Sequence, residues 1–334
     1  MYIIDNYPLA VFSCFITMLC WGSWANTQKL SSKKWPFQLF YWDYSLGILL
    51  ITLILALTLG SIGNEGRSFI NDIQQADLKY VWYAILGGII FNFANLLLVI
   101  AIDIAGMAIA FPIGIGIALV LGVITNYVST PEGDPIYLFL GVAFVALAIV
   151  MDALAYKVIS ENKKQSSSKG IVISLLAGIA MGFFYKYVAI SMASNFASPE
   201  IGKLTPYTAL VVFSIGLLVS NFLFNSINMY KPITGQAVTY KDYFKIGNPK
   251  LHGIGLLGGA IWGIGMSFSI LASEQAGPAI AYGLGQGATL VAAIWGVYIW
   301  KEFKTLPQAK NWLISLMFLC FIIGIGLIIY AKIV

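Results

Sequence analysis

The chain has 334 residues, 59% of them hydrophobic and 10% charged, with a formal net charge of +5. Soluble domains carry about a quarter charged residues, so a compact water-soluble fold is excluded, and the scattered positive charge offers no nucleic-acid surface. A single histidine and the lack of HExxH, GxGD and P-loop sequences remove most metal, triad and ATP-driven chemistry, so neither an enzyme nor a cofactor is expected.

Ten apolar blocks of bilayer-crossing length predict transmembrane helices at 8–28, 37–60, 80–101, 105–128, 136–157, 170–193, 205–226, 252–272, 278–300 and 311–331. Each must be helical, because backbone polar groups in lipid have to pair within the segment, and the runs are too long and too uniform for a β-barrel. Span 1 carries Trp21 and Trp24, span 2 Asp43, span 3 Asn92 and Asn95, and span 4 Pro112, Gly114 and Gly116. Asp152 lies near the end of span 5, and Lys186 lies deep in span 6 between Tyr185 and Tyr187. Span 8 opens on His252 and carries Trp262 and Ser267, while span 9 has Gln286 among Gly283, Gly285 and Gly287. Cys14, Cys20 and Cys320 all fall inside apolar blocks and read as small buried hydrophobes.

The connections fix an expected orientation. Connections 1–2, 5–6, 7–8 and 9–10 hold fourteen of the nineteen basic residues, Lys33, Lys163 and Lys164 among them, while the opposite side holds Arg67, Lys79, Lys203 and Lys332. By the positive-inside rule the lysine-rich side is cytoplasmic, which puts both termini outside an inner or plasma membrane.

Shifting the sequence on itself by 171 positions aligns Gly87–Val120 with Gly258–Val291 without a gap, at 13 identities in 34 positions. Paired GG, AG, AIA and GxG groups carry the match, and Asp103 meets Glu274. Spans 3–4 therefore correspond to spans 8–9. The chain divides into five-helix repeats at 1–160 and 161–334, inverted because five is odd, with a solute site expected between them near midplane.

The stretches Leu19-Cys20-Trp21-Gly22-Ser23-Trp24, Asp43-Tyr44-Ser45, Leu55–Gly63, Gln275-Ala276-Gly277 and Trp295-Gly296-Val297-Tyr298 resemble plant ureide permeases. Ile261-Trp262-Gly263-Ile264-Gly265 and Glu302 resemble glucose/ribose porters. Both groups, with the rhamnose–proton symporters, sit in the drug/metabolite transporter superfamily. The resemblance implies a five-plus-five fold that imports a small polar solute with protons. Sugar is the first expectation; a ureide or nucleobase permease of the same fold, or a metabolite exporter, are the alternatives.

Amides donate and accept, and an indole face stacks on a ring. Trp21, Trp24, Asn92, Asn95, Trp262, Ser267, Gln286 and Lys186 are thus the expected solute ligands, each with an ordinary packing or interhelical role as the competing reading. A charge in hydrocarbon is costly and therefore functional by default, which makes Asp43 the expected proton carrier and Asp152 the next. Asp103 and Glu274 read as wet residues at helix starts, and His252 as interfacial.

Overall fold

The computed structural model describes residues 1–31, 34–160, 168–233 and 235–334. No strand forms among them, and ten helical segments are long and apolar enough to cross a membrane. Lys33, Lys163 and Lys164 lie outside the described residues. Span 1 is α1 (Tyr7–Ser23), continued past a break at Trp24 by α2 (Ala25–Ser31). Span 2 is α3 (Phe37–Leu57); a short α4 (Phe69–Gln75) then leads into span 3, α5 (Leu78–Ala105). Spans 4 to 7 are α6 (Met107–Ser129), α7 (Pro135–Ser160), α8 (Ser168–Ser191) and α9 (Pro206–Tyr230). A second short helix, α10 (Tyr240–Ile246), precedes span 8, α11 (Pro249–Ala276). Span 9 is α12 (Pro278–Gly285), α13 (Ala288–Ile294) and a π-turn (Trp295–Ile299), and span 10 is α14 (Trp312–Tyr330).

Local chemistry sets the boundaries. Asn6 caps α1 by accepting from Leu9 N at 2.9 Å, Asn248 caps α11 through Leu251 N at 3.1 Å, and Thr239 with Asp242 forms a reciprocal capping box on α10. Gly106 (φ +80°) and Gly277 (φ +84°) end α5 and α11 in the left-handed region, where a side chain would be strained. These two stops lie 171 residues apart, the period of the internal match. They also place Asp103 and Glu274 in the last turns of α5 and α11, not at the helix starts the sequence suggested. A carboxylate is disfavoured at a helix C-terminus; Glu274 is compensated by accepting from Phe196 N at 2.6 Å.

Helix pairing also repeats when five is added to each span number. Spans 3 and 7 (α5 and α9) pack as spans 8 and 2 (α11 and α3) do, and span 6 packs on 3 and 4 as span 1 packs on 8 and 9. The closest approaches are backbone on backbone. A Cβ at Gly88 would lie 2.0 Å from Phe213 O and 2.7 Å from Leu217 N. A Cβ at Gly259 would lie 2.0 Å from Tyr44 O and 2.9 Å from Ile48 N. The return contacts are Gly47 on Leu256 O and Gly216 on Ile85 O. Small residues let helices meet this closely where lipid supplies no hydrophobic drive.

On the lysine-poor face the connections are tied by a buried carboxylate. Asp72 accepts from Arg67 Nε at 2.9 Å and from Thr205 N at 2.7 Å, and the rest of the guanidinium donates to the carbonyls of Pro199, Glu200 and Lys203.

Candidate functional site

A cavity of about 170 Å³ sits where α1, α5, α8 and α11 converge on the interruption in span 9. Five aromatic side chains line it, Trp21, Trp24, Phe91, Phe184 and Trp262, among small and aliphatic residues. Trp21 and Trp262 stack with centroids 5.8 Å apart and planes 11° apart, and Phe91 lies 4.4 Å from Trp262. Phe184 closes the other side, 5.1 Å from Phe91. Phe91 and Trp262 stand 171 positions apart, so the partners in this contact are counterparts under the internal repeat.

Polar groups enter at few points. Gln286 and Gly287 separate α12 from α13, and the backbone there tightens to three-residue hydrogen bonds, Gly287 N to Leu284 O at 2.8 Å and Leu290 N to Gly287 O at 2.9 Å. Glycine flanks this break because α1 leans on it: a Cβ at Gly285 would lie 2.9 Å from Trp21 Cζ3, and one at Gly287 2.6 Å from Met18 Cε. The Gln286 side chain, lining the cavity, makes no hydrogen bond among the described residues. Asn95 Nδ2 donates to Tyr41 Oη at 3.2 Å, Thr289 adds a hydroxyl, and the buried Trp21 Nε1 has no acceptor.

Towards the lysine-rich face the cavity shares Trp24, Asn95 and Leu98 with a vestibule of about 440 Å³. At its mouth Glu302 pairs with Lys29 and accepts from the Tyr156 hydroxyl, while Lys29 Nζ lies 4.1 Å from the Trp300 ring. Asp152, one turn before Tyr156, has Oδ1 buried without a partner and lies within the electrostatic reach of Glu302. Towards the lysine-poor face two tyrosines close the cavity. Tyr185 donates to Ser269 O at 3.1 Å, Tyr282 donates to Ala118 O at 3.1 Å, and their rings lie edge to face at 5.3 Å.

Of the residues singled out in the sequence, Trp21, Trp24, Asn95, Trp262 and Gln286 line the central cavity. Asn92 is fully buried and donates to Ser220 Oγ at 2.8 Å. Ser267 Oγ bonds back to Gly263 O at 2.8 Å along its own helix. Lys186, half-buried, forms no ion pair among the described residues. None of these three lines the central cavity or the vestibule.

Asp43 is 2% exposed and sits outside both, near the lysine-rich end of α3. Its carboxylate accepts from Tyr243 Oη at 2.5 Å, meets His252 Nδ1 at 2.9 Å, and accepts from Trp35 Nε1 at 3.2 Å. His252 is thus a carboxylate partner as well as an interfacial side chain. Sequence reasoning also passed over Phe91, Phe184, Thr289, Tyr185 and Tyr282; for Phe91 the repeat, which sets it against Trp262, held the signal.

A sequence model of the ureide permease family matches residues 40–169 and 161–331. Ureide permease 1 of Arabidopsis thaliana is 25% identical over 391 residues, covering 99% of each chain. Ureide permease 2 of the same plant is 23% identical over 397 residues, again covering 99% of each. A Priestia megaterium protein described as "Probable glucose uptake protein GlcU" is 25% identical over 239 residues, covering 70% of this chain and 71% of its own. A solved crystal structure shares the fold, with a TM-score of 0.58 at 12% identity over 96% of this chain and 97% of that one.

Proposed function

This chain belongs to the ureide permease family, a family of multi-pass membrane transporters, and from that premise we propose that it moves a flat, amide-bearing ring such as a ureide through the central cavity. One observation carries the choice: the cavity offers broad aromatic faces and only a few polar groups. A planar ring fills such a site by stacking, and its N–H and C=O groups meet Gln286, Asn95 and Thr289. The unpartnered Trp21 N–H supports the same reading, since a solute carbonyl would satisfy it. Sugar uptake, the first expectation from the sequence, is the second reading; relatives described as sugar or glucose uptake proteins favour it. A sugar carries a hydroxyl on nearly every carbon, and this wall has few partners for them.

The mechanism we propose is alternating access between two inverted five-helix halves, driven by protons. The equivalent glycine contacts, the paired stops at Gly106 and Gly277 and the Phe91–Trp262 contact support the two-half reading. With the lysine-rich face in the cytoplasm, the open vestibule makes this an inward-facing state closed outside by Tyr185 and Tyr282. The test is uptake of labelled allantoin, uracil and glucose by expressing cells, with and without a protonophore. Saturable, protonophore-sensitive allantoin or uracil uptake is the expected result; glucose uptake alone would replace the ureide reading with the sugar reading.

A further inference from the structure

A separate polar cavity of about 380 Å³ opens on the lysine-poor face, beyond the Tyr185–Tyr282 layer. Along α8 it reaches Ala189, five residues or roughly 7.5 Å from Phe184 in the central cavity. The layer between fits closely: a Cβ at Gly122 would lie 2.1 Å from Tyr282 Cε1. The two cavities have no lining residue in common.

The walls of this outer cavity are specific in what they leave open. Its carboxylates are engaged, Glu132 with Lys332 and Glu274 with the Phe196 amide. Lys203 pairs with Glu200 at 3.3 Å. Lys79 forms no ion pair among the described residues, and its Nζ lies 5.6 Å from the Tyr80 ring. Asn126, 1% exposed, also lines the cavity; its Nδ2 donates to Gly122 O at 2.7 Å, while its Oδ1 is buried with no donor. A buried acceptor without a partner calls for an explanation, and a ligand donor is one.

We propose that this cavity is a second solute site, loaded before the tyrosine layer opens, for a neutral planar ring with N–H donors and carbonyl acceptors. An N–H of the ring reaches Asn126 Oδ1, a carbonyl takes the Lys79 ammonium, and the ring lies over Tyr80 or Tyr83. The two lysines and two glutamates of the wall balance, which disfavours a strongly charged ligand. The ligand class rests on the ureide reading above; the existence of the site rests on the cavity, Lys79 and Asn126.

The experiment uses Thr130→Cys, on the cavity wall, in a full-length chain with Cys14, Cys20 and Cys320 replaced by alanine. Allantoin should slow maleimide labelling of this position at least fivefold. The protection should persist with Gln286→Ala, which weakens the central site, and disappear with either Lys79→Gln or Asn126→Leu. Lys79 is exposed, so its variant tests the site even if the Asn126 variant fails to fold. Protection that vanishes with Gln286→Ala, or survives Lys79→Gln, overturns the outer site. No protection alongside saturable allantoin uptake also overturns the outer site alone; no protection and no uptake overturns the ureide reading with it.

Discussion

Asp43 brings three donors from three segments onto one carboxylate: Trp35 before α3, Tyr243 on α10 and His252 on α11. Burial, then the bond to Asp43, pushes the Tyr243 hydroxyl above the usual tyrosine range, so it remains a donor at physiological pH. With an imidazole at hydrogen-bond distance from its carboxylate, Asp43 keeps its place as the expected proton carrier. Asp43→Asn fixes a neutral acceptor, and His252 can change tautomer to suit it. We expect proton-driven accumulation to vanish while solute exchange survives; protonophore-sensitive accumulation in this variant would exclude Asp43. In the central cavity, Gln286→Ala or Asn95→Ala should each cost about 1–3 kcal/mol of solute affinity, roughly 5- to 150-fold in Kd, measured by equilibrium binding. Asn92→Ala should instead leave affinity unchanged and cost about 0.5–1.5 kcal/mol of stability through its lost bond to Ser220.

The paired glycine contacts give the elements a test of their own. Gly88→Ala and Gly259→Ala each drive a methyl into a carbonyl oxygen of the neighbouring helix, and each should lower the melting temperature in detergent, at about 1–3 kcal/mol. Gly116 has nothing within 4 Å of its added Cβ, so Gly116→Ala should be neutral or stabilising by up to about 1 kcal/mol. Equal losses at the two equivalent positions are the expected outcome, and a loss at only one would count against equivalent packing. The spans were largely legible in the sequence, because apolar length marks a span. The glycines Gly283, Gly285 and Gly287 allowed either close helix packing or a kinked backbone beside the cavity, so the interruption at Gln286–Gly287 was legible only as one of two readings. Hydropathy averages over a two-residue break, and the Met18 and Trp21 that approach it belong to a distant helix. Helix α10 left a readable sign in Thr239 and Asp242, three apart, but the contact of its Tyr243 with Asp43 spans 200 residues and follows no local period.

For the whole molecule, the uneven distribution of lysine makes orientation the decisive property. Lys245→Cys should react only with a cytoplasmic thiol reagent and Ser198→Cys only with an impermeant external one; the reverse would invert the proposed inward-facing state. A probe in 161–167 would also report on connection 5–6, though that stretch lies outside the described residues. The candidate site was legible by residue type, as indoles and amides inside apolar spans, but only folding separates Gln286 and Asn95, on the cavity, from Asn92 and Ser267, which are spent on helix contacts. Three of the nine tryptophans line the central cavity, two of them stacked on each other. The protein therefore carries its own optical reporter. A ring binding against these indoles should change their emission, and Trp262→Phe should remove most of the change, so ligands can be sought by fluorescence titration of purified protein before any transport is measured.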